Sequence, residues 1–136
     1  MPPRIIRKIG LALFQEKKVI MLRDNRNDEV FYFAGGTVEE GETDTDCLAR
    51  EIEEELAVQI DLDSLQFLAE FEAPAHGKEN TIVQIRLYTG EIIGTPQPSQ
   101  EIVEIAYFDS SVDPKHLSAL ALDAAFPWLK EHEYIS

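Results

Sequence analysis

The sequence predicts a mixed α/β domain of the α+β type, in which a mixed sheet is sandwiched between helices. Short strand-like apolar segments recur along the chain, one strongly periodic helix interrupts them, and the C-terminal stretch again favours helix. The length of 136 residues suits one domain spanning 1–136, and a hydrophobic content of 44% is enough to build a core.

Taken in order, Ile5 to Phe14 reads as a strand, with Ile5, Ile9, Leu11 and Leu13 on one parity. Val19 to Leu22 is a second apolar run, and the intervening Gln15-Glu16-Lys17-Lys18 makes the two a hairpin. Asp24-Asn25-Arg26-Asn27-Asp28 is a polar loop, after which Val30 to Phe33 is strand-like and ends in Gly35-Gly36. The clearest helix runs from about Asp44 to Leu56. Thr43 is its N-cap, Asp44 and Asp46 sit in the first turn where negative charge suits the helix dipole, and Ala49, Ile52 and Leu56 form an apolar stripe with Leu48 at the margin. Leu65 to Ala73 and Thr81 to Gly90 are strands separated by a loop or turn at 74–80. Gly94 to Gln100 is Pro-rich and polar, and Val103 to Phe108 is a last strand. Asp113-Pro114 is a helix-start signal, and the chain is helical from there to about His132 with an interruption near Pro127.

Composition narrows the function classes. With 26 acids against 12 bases, a net charge of −14 repels a nucleic-acid backbone, so no duplex partner is expected. A phosphate substrate would need cations between itself and such a surface. The one cysteine, Cys47, excludes an internal disulfide and reads as a small helix residue in an acidic setting rather than a nucleophile. No apolar run approaches membrane-spanning length and the start lacks a signal-peptide pattern, so a soluble, cytoplasmic protein with no membrane partner is expected.

The helix carries Arg50-Glu51-Ile52-Glu53-Glu54-Glu55-Leu56. At 100° per residue Glu51, Glu54 and Glu55 share one face, away from the apolar stripe, while Glu53 points elsewhere. Clustered carboxylates repel, no lysine lies among them, and a hard divalent cation would relieve the repulsion. Arg50 can pair with Glu54 at i+4 or Glu53 at i+3. The same run alone would also suit a solvated acidic face. What precedes it adds weight: Gly35-Gly36 allows close backbone approach, and Gly41 turns the chain so that Glu42 arrives near the helix start.

The segment Gly36 to Val58 resembles the Nudix box of Nudix hydrolases. Gly36, Glu42, Arg50-Glu51, the aliphatic Ile52, Glu54-Glu55 and the aliphatic Val58 occupy the pattern's fixed positions; Ala57 stands where the family has Gly, and Ala34 where many members have Pro. The resemblance implies a Nudix fold and metal-dependent hydrolysis of a nucleoside diphosphate linked to another group, including a nucleoside triphosphate. Glu51, Glu54 and Glu55 would ligate magnesium or manganese, and Glu101, just before the last strand, is the candidate for a further ligand, with Glu104 behind it. Glu54 and Glu101 are the two candidates for general base, and Glu42 and Arg50 for orienting the site. Arg23, Gly35, Gly36 and Phe33 are candidate substrate contacts, with stacking open among Phe31, Tyr32 and Phe33. His76, His116 and His132 read as loop or surface histidines. Two alternatives stay open: the same chemistry on a nucleotide sugar or dinucleoside polyphosphate, and a non-catalytic nucleotide sensor. A homodimer is compatible with the sequence but not required by it.

Overall fold

The computed structural model describes residues 1–26, 28–75 and 77–136; of the loop calls above, Asn27 and His76 lie outside them. The chain forms strands β1 (Arg4–Ala12), β2 (Phe14–Gln15), β3 (Lys18–Asp24) and β4 (Ala34–Thr37), helix α1 (Asp44–Leu56), strands β5 (Gln59–Pro74), β6 (Thr81–Ile93) and β7 (Ile102–Phe108), and a C-terminal helical region ending in α2 (Phe126–Glu131). β4, β1, β6 and β5 lie side by side in a four-stranded mixed sheet whose β1–β6 pair is parallel; β2, β3 and β7 make a three-stranded antiparallel sheet.

This arrangement corrects the expected first hairpin. The stretch from Ile5 to Phe14 is not one strand: it breaks at Leu13, so β1 joins the larger sheet and only Phe14–Gln15 pairs back on Lys18 and Val19. Glu16 and Lys17 form a two-residue turn, both at positive φ (53° and 62°), which matches the twist of a tight hairpin. The strand expected at Val30 to Phe33 reduces to isolated bridges, Phe31 with Leu117 and Tyr32 with Leu22, and regular pairing begins at Ala34 and runs through the glycines instead. The reason is steric. At Gly35, φ is 140° and a Cβ would collide with the Ile9 carbonyl, so only glycine lets β4 lie this close to β1.

Strand alternation builds two cores. Ile20 and Leu22 of β3 join Ile9 and Leu11 of β1 beneath α1, whereas Val19 and Met21 face the C-terminal helical region. The α1 face buries Cys47, Leu48, Ile52 and Leu56, so the stripe is centred on Leu48, and Ala49 lies at its edge rather than within it. Phe71, Ile85 and Leu87 meet Phe126 and Leu129 in the second core. Burying an aliphatic or aromatic side chain of this size contributes ~1.5–3 kcal/mol before entropy.

Both ends of α1 are specified locally. Thr43 Oγ1 accepts from the Asp46 N–H (3.1 Å) and the Asp46 carboxylate returns the bond to Thr43 N–H (3.5 Å), a capping box with Asp in the usual Glu position. Asp44 is fixed across the sheet by Arg86 (2.8 and 2.5 Å) and the Tyr88 hydroxyl (2.9 Å). At the other end Ala57 itself takes the left-handed cap conformation, φ 56° and ψ 36°, and donates to the Glu53 carbonyl. In the C-terminal region Asp113 caps a single 3-10 turn at Pro114–His116, and a π-helical segment, Leu120–Ala125, precedes α2. Pro127 explains the wide turn: it has no N–H to return to the preceding turn, and its ring would crowd an α-helical carbonyl there. No helix of the described residues is long and apolar enough to cross a membrane.

Two stability predictions follow from these caps. Ala57→Gly relieves a left-handed alanine and is expected to raise unfolding stability by about 1 kcal/mol in urea titration; no gain would mean the cap is unstrained. Hydrogen bonds from Arg86, and then from Tyr88, hold the Asp44 carboxyl below its ordinary value of 3.8. The folded state therefore resists this protonation more than the unfolded chain, so the stability from the ion is present above that value and is lost as pH falls through the lowered one. Asp44→Asn is expected to cost ~1–3 kcal/mol near neutral pH and progressively less in acid; a pH-independent cost would show that the charge contributes nothing.

Candidate active site

β4 and α1 place the glycine pair against the glutamates. Gly36 pairs with Ile9 on the α1 side of the sheet, and any side chain there would run into the Glu51 carboxylate. Its neighbour Gly35 donates its N–H to Glu55 Oε1 at 2.8 Å. The two glycines thus form a backbone floor on which two carboxylates of α1 rest.

Arg50 organises the other side. Its Nε and Nη2 each donate at 2.9 Å to the two oxygens of Glu42, a forked pair, while Nη1 donates to Glu51 Oε1 at 2.6 Å. The same guanidinium lies 3.9 Å from Glu54 and 3.7 Å from Glu39. The principal partner of Arg50 is therefore Glu42, not Glu53, because the 39–42 turn brings Glu42 back over the helix start. A Glu39 N–H bond to Glu42 (2.9 Å) closes that turn. Arg50 and then this N–H hold the Glu42 carboxyl down at about 2, and the ion pair raises Arg50 above its usual range.

The inner carboxylates behave in the opposite way. Burial pushes Glu55 up to about 8, against the opposing Gly35 N–H, and burial also raises Glu51 despite its bond to Arg50. Lys8, on β1, has its amine lowered chiefly by burial and then by the charge of Arg26, while the nearby charges of Glu55 and Glu51 oppose that shift. One guanidinium thus faces the carboxylates of Glu39, Glu42, Glu51 and Glu54, and Glu55 lies beyond its reach. Among the described residues no three Asp, Glu, His or Cys side chains converge as ligands around one point. Glu51 turns to Arg50 and Gly36, Glu55 to Gly35, and Glu54 outward with 44% of its side chain exposed. The donor set nonetheless fits a hard divalent cation: all-oxygen, half-buried and short of positive charge.

The other candidates disperse. Glu101 is exposed in the turn before β7. That turn is docked on the end of α1, where Ser99 N–H meets the Glu55 carbonyl (3.1 Å) and Gln97 N–H the Leu56 carbonyl (3.0 Å), satisfying helix-end acceptors. Next to Glu101, Gln100 shares an open groove of about 660 Å³ with Arg50 and Glu54. Glu104 is instead paired with Arg23, Nε to Oε1 at 2.8 Å. Phe33 packs towards Phe126 in the core (ring centroids 6.2 Å apart), and Tyr32 lies under Arg26. Cys47 is fully buried with its thiol pushed up to about 11 by burial, which leaves it inert. His132 stacks on Trp128 at 4.0 Å, and His116 Nδ1 donates to the Glu29 carbonyl (2.8 Å). Sequence reasoning missed the Glu42–Arg50 fork and the Asp44–Arg86–Tyr88 anchor; the shared parity of Arg86 and Tyr88 in β6 was the one available signal for the latter.

Comparison with known proteins bears on the family and the fold. The family model of the NUDIX domain matches residues 5–129. No curated relative matches the sequence. Among solved structures, the chain is similar to the MutT NUDIX hydrolase from Burkholderia pseudomallei (18% identity, TM-score 0.76, 93% of this chain and 98% of that one). It is also similar to the E. coli ORF135 protein (20% identity, TM-score 0.73, 96% and 94%) and to a UDP-X diphosphatase (20% identity, TM-score 0.71, 98% of this chain and 63% of that one). At these identities the structural likeness speaks for the fold; together with a family match over most of the chain, it identifies the protein as a member of the NUDIX family.

Proposed function

We propose that the protein hydrolyses a diphosphate linkage in a nucleoside diphosphate joined to a further group, a nucleoside triphosphate included, with a divalent cation, magnesium or manganese, held by Glu51, Glu54 and Glu55. The observation that carries this reading is the seating of the Glu51 and Glu55 carboxylates on the glycine pair, half-buried and undercompensated in charge. A structural role alone gives no reason to press two acids onto a backbone floor that only glycine can form. When bound, the cation neutralises diphosphate oxygens and acidifies a water molecule.

The residues divide the remaining work. Gly36 leaves the space that the Glu51 carboxylate occupies and Gly35 lets β4 lie against the Ile9 carbonyl, so the two glycines set where the carboxylates sit. Arg50, gripped by Glu42, holds Glu51 in place and leaves one edge of its guanidinium near Glu54. Glu54 is the carboxylate best placed to take a proton from attacking water, being half exposed on the groove beside Gln100, and Glu101 on the docked turn is the alternative. Breakage of the P–O–P bond then gives two phosphate products, the proton of the water having passed to the base.

A product-resolved screen of nucleoside triphosphates, nucleotide sugars and dinucleoside polyphosphates with magnesium tests the reading directly. Glu54→Gln is expected to lower kcat by roughly 10²-fold with the fold retained, and exhaustive chelation to abolish turnover until magnesium is restored. Normal turnover in Glu54→Gln with loss in Glu101→Gln would move the base to Glu101; turnover insensitive to chelation would remove the cation from the mechanism.

A further inference from the structure

The α1 side of the larger sheet is covered only in part. Ile9, Leu11 and Tyr88 pack beneath the helix, and Asp44 at its start reaches Arg86 and Tyr88. Beyond Arg86 the strands run on, and the next two cross-strand rows of this face belong to neither core. The first of these rows is Arg7 on β1, Gln84 on β6 and Glu72 on β5; the second is Ile5, Ile82 and Pro74. Arg7, Glu72 and Pro74 are exposed, and Ile5 keeps 38% of its surface in contact with solvent. The opposite face of the same strands, with Ala73, Val83 and Ile85, is the packed one. Alternation along the strands therefore leaves a charged row and an apolar row side by side on an uncovered sheet face.

The charged row is polarised across the sheet, with Arg7 on one side of β6 and Glu72 on the other. Among the described residues the Arg7 guanidinium makes no hydrogen bond or ion pair, and the Glu72 carboxylate takes only a long bond from Gln84 Nε2 (3.4 Å). A twofold axis laid over β6 and parallel to it sends β1 of one copy over β5 of a second, with no shift along the strands. Arg7 of each copy then stands opposite Glu72 of the other, Ile5 opposes Pro74, and Gln84 and Ile82 meet their own counterparts. An axis running across the strands would instead set β1 on β1 and β5 on β5, bringing like charges to the same strand. Facing sheets lie ~10 Å apart, a gap that an arginine and a glutamate side chain span together. Complementarity of a face to itself under one symmetry operation is what a second copy of the chain requires, and a partner of other chemistry does not. The net charge of −14 opposes association, so the local pairing has to overcome it.

We propose that this open face is where two copies of the chain meet, Arg7 of each pairing with Glu72 of the other beside the Ile5, Ile82 and Pro74 row. β4 lies two strands from the axis, and the inference stands apart from the diphosphatase reading. The face is small, so association is expected to be weak and to show as sedimentation that changes between micromolar and near-millimolar protein. The test uses Arg7→Glu and Glu72→Arg, both at exposed positions, with circular dichroism to check the fold. Each is expected to weaken the dimer about 10-fold, because it turns both symmetry-related ion pairs into like-charge contacts. Mixed in equal amounts, the two variants are expected to associate again, since every pair across the mixed dimer is then of opposite charge. Glu72→Arg is the sharper variant: it lowers the net negative charge, so simple relief of repulsion would tighten association rather than weaken it. A wild-type protein monomeric over the whole range would overturn the assignment and leave the face to a partner of another kind. A dimer that Glu72→Arg leaves as tight or tighter, or variants that stay apart when mixed, would overturn it equally.

Discussion

The contact on which the rest of this structure depends is between backbone and carboxylate. Gly35 and Gly36 lie against β1 with no side chain to hold them off, and Glu51 and Glu55 come down from α1 onto the surface so made. Everything nearby serves that approach. Leu48, Ile52 and Leu56 pack against the sheet and set the height of α1 over it. Asp44 pins its start to Arg86, and the 97–99 segment closes its end. A glutamate on an ordinary solvated helix would feel little from its neighbours; here burial, with the charges of Glu51 and Glu54 behind it, lifts Glu55 to about 8.

Charge is distributed in the same sense. The chain carries a net −14, yet its site is not simply acidic. Arg50 is spent on Glu42, which stays ionised at the helix start, and only its third edge reaches the inner carboxylates. Glu42 takes two hydrogen bonds from Arg50, Glu51 takes one, and among the described residues Glu55 takes only the Gly35 N–H. That division could not be read from the count of glutamates.

How much of this was legible in the sequence differs by element. α1 was readable to its ends because its signals are local: Thr43 and Asp46 act within four residues, and the 3.6-residue period of Leu48, Ile52 and Leu56 is unbroken. β7 was nearly as clear. The first hairpin was not, because Ile9 to Phe14 is an unbroken apolar run and nothing in its alternation marks Leu13 as the point where one sheet ends and another begins. The Val30 to Phe33 segment misled for a related reason: aromatic residues have strand propensity, but pairing there is set by where the glycines permit close contact. At the site, the spacing of Glu51, Glu54 and Glu55 was visible, whereas their different directions depend on Arg50 and Gly35, partners decided in three dimensions. The Arg23–Glu104 pair joins residues 81 positions apart and had no sequence signature at all.

The central claim is that the glycine floor holds Glu51 and Glu55 ready for a divalent cation, and the most direct measurement is manganese affinity by EPR for the wild-type protein and Gly36→Ala. A methyl group at this position must displace the Glu51 carboxylate while leaving α1 and both cores untouched. Affinity is expected to fall by about 10–100-fold, the scale seen when groups that orient metal ligands are lost, with circular dichroism unchanged. Equal manganese affinity in the two proteins, both folded, would contradict it.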